Sequence, residues 1–112
     1  MAEPNEARGE FKFELGDRSF VIIPRFDQIS RIESSLGRPL LQATAAGLSL
    51  SDLAMILDLA ARPQKPKPSR ADLGDLILEN GGILAMMPVV EKLIARITGT
   101  GKSQEGESEG NE

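Results

Sequence analysis

Three acidic residues, Asp72, Asp75 and Glu79, are spaced to lie on one side of a helix. Carboxylates in that arrangement could bind a metal ion or exchange protons with a substrate. Such sites usually add histidine or cysteine ligands, and the chain contains neither residue type. We therefore expect the three carboxylates to lie on a solvated helix face. We predict that the protein is not an enzyme and that it binds no metal and no cofactor.

The segment GTGKS, residues 99–103, is similar to the end of a phosphate-binding loop. That motif needs a glycine five residues before Gly101, where Arg96 stands, and it follows a strand rather than a helix. We interpret the segment as a helix end that continues into a tail, and we predict no nucleotide binding. A second motif, P-x-x-P at residues 63–66, resembles polyproline ligands. Three prolines between two helices are more typical of an exposed linker, here residues 62–70.

The net charge of -4 is located at the ends of the chain. Between Glu10 and Thr98 the chain has 11 basic and 11 acidic residues, so the excess of acidic residues lies in residues 1–9 and 99–112. A neutral body argues against nucleic-acid binding, which needs a basic face. The chain also lacks an apolar run of roughly 20 residues and begins with acidic residues, unlike a signal peptide. We expect a cytoplasmic protein that does not enter a membrane.

Residues 11–23, FKFELGDRSFVII, predict a β-hairpin. Apolar and charged residues alternate from Phe11 to Leu15, and Gly16 supplies the positive φ that begins a type II′ turn. On the return strand Phe20 and Ile22 share one face and Val21 and Ile23 share the other, so this strand is apolar on both faces. Because two strands alone are marginally stable in water, we expect helices to cover one face and another subunit to cover the other.

From Phe26 onwards the apolar period is about 3.6 residues, which predicts helices. The first helix has Asp27 as its predicted cap, the second begins at Pro39, and Ser51 caps the third. A fourth helix begins with the capping box of Ser69 and Asp72. The predicted inner face of the first helix consists of Phe26, Ile29, Ile32 and Leu36.

The last helix, predicted at residues 83–98, has the strongest apolar stripe, and Pro88 interrupts it. Either the helix bends at this proline, or a short turn precedes a helix that begins near it. Two consecutive methionines, Met86 and Met87, cannot both face one narrow stripe. Methionine is used in plain cores and on surfaces that accept other helices, so both interpretations stay open. The stripe consists of Ile83, Met86, Met87, Val90, Leu93, Ile94 and Ile97.

Together these features predict an α+β fold, an N-terminal β-hairpin packed on a bundle of about four to five short helices. The predicted single domain comprises residues 10–98. Residues 1–9 and the acidic tail at residues 99–112 are expected to be disordered, because they carry too few apolar side chains to pack.

The order of these elements resembles the gene-transfer-agent family of phage tail proteins, the tail assembly chaperone group that is also labelled tail tube protein. The similarity covers residues 10–99. It is carried by the hairpin turn at Gly16, the helix end I-E-S-S-L-G at residues 32–37, the segment S-L-S-D-L-A at residues 49–54, and Gly81 before the last helix. None of these is a catalytic signature, so the specificity comes from their combination.

The resemblance implies a non-enzymatic helper of tail assembly, which binds the tape measure protein and brings tail tube protein subunits around it. We predict that contacts with partners, or with further copies in a homo-oligomer, are made by Phe20, Ile22, Met86, Met87 and Val90. One alternative is a structural tail tube or tail-end component that is retained in the particle. Another is a regulatory module for a helical partner unrelated to phage.

Overall fold

The computed structural model describes residues 3–100 and has an N-terminal β-hairpin followed by five α-helices. The predicted α+β architecture is confirmed. Two short 3-10 helices complete the described part of the chain. In chain order the elements are the 3-10 helix Glu6–Arg8, β1 (Phe11–Leu15), β2 (Arg18–Ile22), α1 (Phe26–Leu36), α2 (Leu40–Ala46), α3 (Leu50–Ala60), α4 (Arg70–Glu79), the 3-10 helix Gly82–Met86, and α5 (Met87–Thr98).

The two strands pair in antiparallel orientation, and Leu15 lies opposite Arg18 across a two-residue loop. In that loop Gly16 has a φ of +62°, whereas Asp17 does not have a positive φ, which fits the predicted type II′ turn. The tip of the hairpin lies against the end of α4, because a Cβ added at Gly16 would lie 2.6 Å from Asn80 Oδ1.

The outer edge of β2 pairs with the residues at the end of α3. The Ile23 N–H donates to the Ala60 carbonyl at 2.8 Å, and the Arg62 N–H donates to the Val21 carbonyl at 2.7 Å. The second strand is therefore bonded along both edges, and the hairpin is anchored to a helix. Its side chains Phe20, Val21 and Ile22 are all buried by the same chain. The expectation that another subunit must cover one face was wrong.

The central helix of the core is α3, which packs against α1, α4 and the second 3-10 helix. Residues 53–57 of this helix are buried without a break. The hairpin contributes its own apolar face to the same cluster. Large buried side chains from the other elements are Phe13, Leu15, Ile32, Leu40, Leu73, Ile77, Met86, Val90 and Leu93.

Two helices begin with capping boxes. At α4 the Asp72 N–H donates to the Ser69 hydroxyl at 3.0 Å and the Ser69 N–H donates to the Asp72 carboxylate, which confirms the predicted start. At α3 the same motif is formed by Ser49 and Asp52, with both bonds at 3.0 Å. The prediction of Ser51 as the cap was wrong, because an acid that returns the bond stands three residues after the cap.

The first turn of α1 is exposed to solvent. Phe26 is 82% exposed, so its predicted place on the inner face was wrong. Arg25 precedes the helix with no side-chain cap, and the predicted cap, Asp27, already lies inside the helix. Pro39, predicted to be the first residue of α2, stands one residue before it. The inner face of α1 is shorter than predicted and consists of Ile29, Ile32 and Leu36.

Pro88 lies in the first turn of α5. Of the two alternatives that we considered, the short turn is correct, and it is the 3-10 helix Gly82–Met86. Proline is accommodated in a first turn because the N–H groups there have no helical partner. At the two ends of the predicted stripe, Ile83 and Ile97 are exposed, so the inner face of this helix is also shorter than predicted.

Arg8, within the segment that we predicted to be disordered, is bonded to the end of α5. The Arg96 guanidinium donates to the Arg8 carbonyl at 3.0 Å and to the Pro24 carbonyl at 3.3 Å. The folded part therefore begins before residue 10. Most of the predicted acidic tail lies outside the described residues.

Within residues 3–100, no single helix is long and apolar enough to cross a bilayer. Only α4 and the segment 82–98 together have the length and apolar composition of a membrane span. Their axes differ by 105°. Both segments contribute side chains to the core, which accounts for their apolar character.

Replacing Gly16 with alanine is expected to destabilise the protein more than the same replacement at Gly37. Both glycines have positive φ, +62° and +78°, so each alanine adds left-handed strain of about 1–2 kcal/mol. Nothing lies within 4 Å of a Cβ at Gly37, whereas a Cβ at Gly16 meets the Asn80 side chain. Urea unfolding of the two variants measures the difference. Equal losses of stability would contradict the contact between the hairpin tip and α4.

Candidate functional site

Four of the five residues predicted to contact a partner lie in the core: Phe20, Ile22, Met86 and Val90. In this conformation they offer a partner no surface, because the hairpin and helices of the same chain cover them. This placement corrects the predicted contact surface. Of the two open interpretations of the methionines, a plain core is the one that fits Met86. Met87 is partly exposed, and partner contact through it stays a prediction.

Three large apolar side chains are exposed where α4 ends and the chain turns towards α5. Leu78 is 59% exposed, Ile83 is 45% exposed and Leu84 is 78% exposed. We call these three residues the apolar corner. Single exposed apolar side chains are common on protein surfaces. Three of them at one bend, on two elements that pack together, favour a contact surface.

The backbone at the end of α4 places the apolar corner outside the core. Ile77 is fully buried while the next residue, Leu78, is exposed, because neighbours in an α-helix point about 100° apart. Gly81 and Gly82 both have positive φ, and they turn the chain into the second 3-10 helix. In that helix only Met86 is buried, so the preceding apolar residues remain at the surface.

The surroundings of the apolar corner are acidic. Residues 71–91 contain four acidic residues and no lysine or arginine. Asp75 and Glu79 are exposed on the same helix as Leu78. Neither carboxylate makes an ion pair with any residue in the described range. The charge of this region therefore differs from that of the folded body, which is neutral as a whole.

The three carboxylates with helical spacing do not combine into a metal site. The carboxylate of Asp72 accepts a hydrogen bond in the capping box of α4. Across residues 3–100, no group of three or more acidic side chains is arranged to hold a metal ion. The glycine that begins the GTGKS segment, Gly99, ends α5 in a left-handed conformation, and residues 101–103 lie outside the described range.

Glu10 is buried to 5% exposure, and its carboxylate is surrounded by donors. Arg62 Nη2 lies 2.8 Å from one oxygen, Arg25 Nη2 lies 3.6 Å from the other, and the Asn5 N–H donates at 2.9 Å. We call these four residues the Glu10 cluster. Both guanidinium groups are partly exposed, which lowers the cost of desolvating them. Because every partner is a fixed group of the chain, we assign the Glu10 cluster a structural role.

A second set of ion pairs holds the linker of residues 62–70 against α3. The Asp58 carboxylate lies 2.9 Å from Arg70 Nε and 3.6 Å from Lys67 Nζ. The Gln64 side chain donates to a carbonyl of β2 at 2.9 Å. The recess beneath the linker has a volume of about 20 Å³, which suits one water molecule rather than a ligand.

Comparison of the chain with protein-family models, curated proteins and solved structures finds no match. Its function must therefore be inferred from its own residues and their geometry. The resemblance of the element order to phage tail assembly proteins stays a prediction.

The apolar periodicity alone did not predict the apolar corner. One signal was the run Leu76, Ile77 and Leu78, since three consecutive residues cannot all face the core in a helix that is buried on one side only. A second signal was the absence of basic residues between positions 71 and 91. Both signals indicate the α4 side of the molecule rather than the methionine side of the last helix.

Replacing Glu10 with glutamine is expected to lower the free energy of unfolding by about 1–3 kcal/mol. The amide keeps the size of the side chain but leaves the Arg62 guanidinium without its buried countercharge. The matched control is Glu91→Gln, because Glu91 is exposed, and a change below about 0.5 kcal/mol is expected there. Urea unfolding followed by circular dichroism measures both. Equal stability of the two variants would show that the Glu10 cluster contributes nothing.

Proposed function

We propose that the protein is a non-enzymatic assembly chaperone for a phage-like tail, which binds the tape measure protein and aids assembly of the tail tube. The observation that supports a partner-binding function is the apolar corner, formed by Leu78, Ile83 and Leu84. The phage-tail setting comes from the resemblance of the element order.

The apolar corner can supply the centre of an interface. Burying one leucine side chain completely contributes about 1.5–3 kcal/mol, and three side chains of this size are exposed at this bend. Interfaces commonly combine such an apolar centre with a polar rim. A small contact of this kind suits a chaperone, because the bound partner must later be released to the growing tail.

The charge around the apolar corner favours a basic amphipathic helix as the bound segment. The apolar face of such a helix would pack on the corner, and lysine or arginine at its rim would face Asp75 and Glu79. These two carboxylates have no countercharge among residues 3–100. A long helical protein such as a tape measure protein offers faces of this type.

Replacing Leu84 with serine is expected to weaken binding of the tape measure protein by about five-fold to thirty-fold, because about 1–2 kcal/mol of apolar burial is lost. The melting temperature of the free protein should stay unchanged, since the side chain is mostly exposed. Glu79→Lys should also weaken binding, and added salt should reduce its effect. Isothermal titration calorimetry with tape measure fragments measures the affinity and its dependence on salt. Thermal unfolding followed by circular dichroism measures the melting temperature.

The matched control is Phe26→Ser. Phe26 is exposed to a similar extent as Leu84. It lies two residues after Pro24, whose carbonyl accepts a bond from Arg96 near the C-terminal end of α5, whereas Leu84 lies before the N-terminal end of α5. Binding should be unchanged in this variant. Wild-type affinity in the Leu84 variant would exclude the apolar corner as the docking site. An abundant signal for the protein in mass spectra of purified particles would instead favour a retained tail component.

A further inference from the structure

One edge of the hairpin remains open among the described residues. The outer edge of β2 is bonded to the end of α3 through Val21 and Ile23, whose backbone groups point away from β1. Val21 lies opposite Lys12, so the N–H and C=O of Lys12 also point away from the hairpin, as do those of Glu14 two residues later. No other group in residues 3–100 bonds to these backbone atoms.

We propose that this open edge of β1 pairs with the same edge of a second copy of the chain. The two β1 strands would run antiparallel about a two-fold axis at Phe13. Lys12 of one copy then lies opposite Glu14 of the other, and the relationship repeats on the other side of the axis. The residues with outward backbone groups are the ones that face each other, so both pairs can exchange N–H to C=O hydrogen bonds. The two hairpins become one four-stranded sheet.

The charge pattern selects this register. Lys12 and Glu14 lie 3.4 Å apart on the same face of one strand, and both side chains are more than half exposed. Centring the axis on Phe13 places opposite charges across the interface twice. Moving the axis by one residue in either direction places Lys12 opposite itself or Glu14 opposite itself. Like charges directly opposite each other destabilise a sheet, so the strand sequence favours a single pairing.

The strand carries the charged side chains Lys12 and Glu14, which commonly protect an edge, but it lacks other protective features. Edge strands are commonly shielded by proline, by a bulge or by a covering loop. β1 contains no proline, pairs with β2 in continuous register, and opens at its first residues onto a cleft of about 1110 Å³. Phe11 and Lys12 form one wall of that cleft, and Lys92 of α5 stands across it with its ammonium group 4.5 Å from the Phe11 ring. The accessible part of the edge is at Lys12 and Glu14, whose side chains are both more than half exposed.

This self-association is independent of the proposed tape-measure binding, because β1 and the apolar corner use different residues. It also differs from the predicted contact through Phe20 and Ile22, which are buried. The open edge acts through backbone bonds and the two charged side chains. We expect a weak, concentration-dependent dimer, since two short strands bury far less surface than a standard interface.

Charge exchange tests the register. Wild-type protein should dimerise with increasing concentration in sedimentation equilibrium. Lys12→Glu and Glu14→Lys should each weaken the dimer at least tenfold, because each creates two like-charge pairs. An equimolar mixture of these two variants should recover wild-type dimerisation as a heterodimer, and so should the double variant K12E/E14K. Each variant should keep the wild-type melting temperature, because exposed ion pairs contribute little to stability.

The backbone part of the proposal has its own test. Glu14→Pro removes an N–H that has no partner within residues 3–100 of the same chain, so the variant should fold and remain monomeric. The control is Asp27→Asn, at an exposed residue of α1, and this variant should dimerise like wild type.

Several results would overturn the proposal. A wild-type protein that stays monomeric up to its solubility limit would do so, as would a dimer that tolerates Glu14→Pro. If neither the mixture nor the double variant recovers dimerisation, the two-fold axis at Phe13 is excluded. Slowed hydrogen exchange of the Lys12 and Glu14 amides only after addition of the tape measure protein would show that the partner, rather than a second copy, occupies this edge.

Discussion

The fold depends on β2 being bonded along both of its edges. One edge carries the ladder to β1, and the other carries the backbone bonds of Val21 and Ile23 to the end of α3. A strand with two bonded edges and two buried faces is an interior element, although the sheet has only two named strands. This explains why a hairpin that would be marginal alone can form one side of a helical core.

Arg62 connects this pairing to the rest of the chain. Its backbone N–H bonds to the outer edge of β2, and its guanidinium binds the buried Glu10 carboxylate at the start of β1. The Glu10 carboxylate in turn accepts from the Asn5 backbone. One residue therefore joins the end of α3, both strands and the N-terminal segment. Disturbing any of these elements affects the others, so we regard them as one cooperative unit.

The features that sequence analysis predicted well are those determined by local chemistry. The turn at Gly16 depends on a single φ value, and the capping box at Ser69 depends on residues three apart. The α+β architecture followed from the change of apolar period. The failures concern burial: Phe26 lies on the apolar stripe of α1 but outside the core. For the candidate site, periodicity identified apolar residues but could not tell which of them the chain itself covers. Leu84 became a candidate only once its neighbours were known.

The bond between Arg96 and the Arg8 carbonyl has an electrostatic consequence. It brings the segment that enters the folded body next to the helix that leaves it, so both acidic ends of the chain are attached to the same pole of the molecule. The body between them is neutral. Attraction of one acidic end to a basic surface would therefore also bring the attachment point of the other end towards that surface.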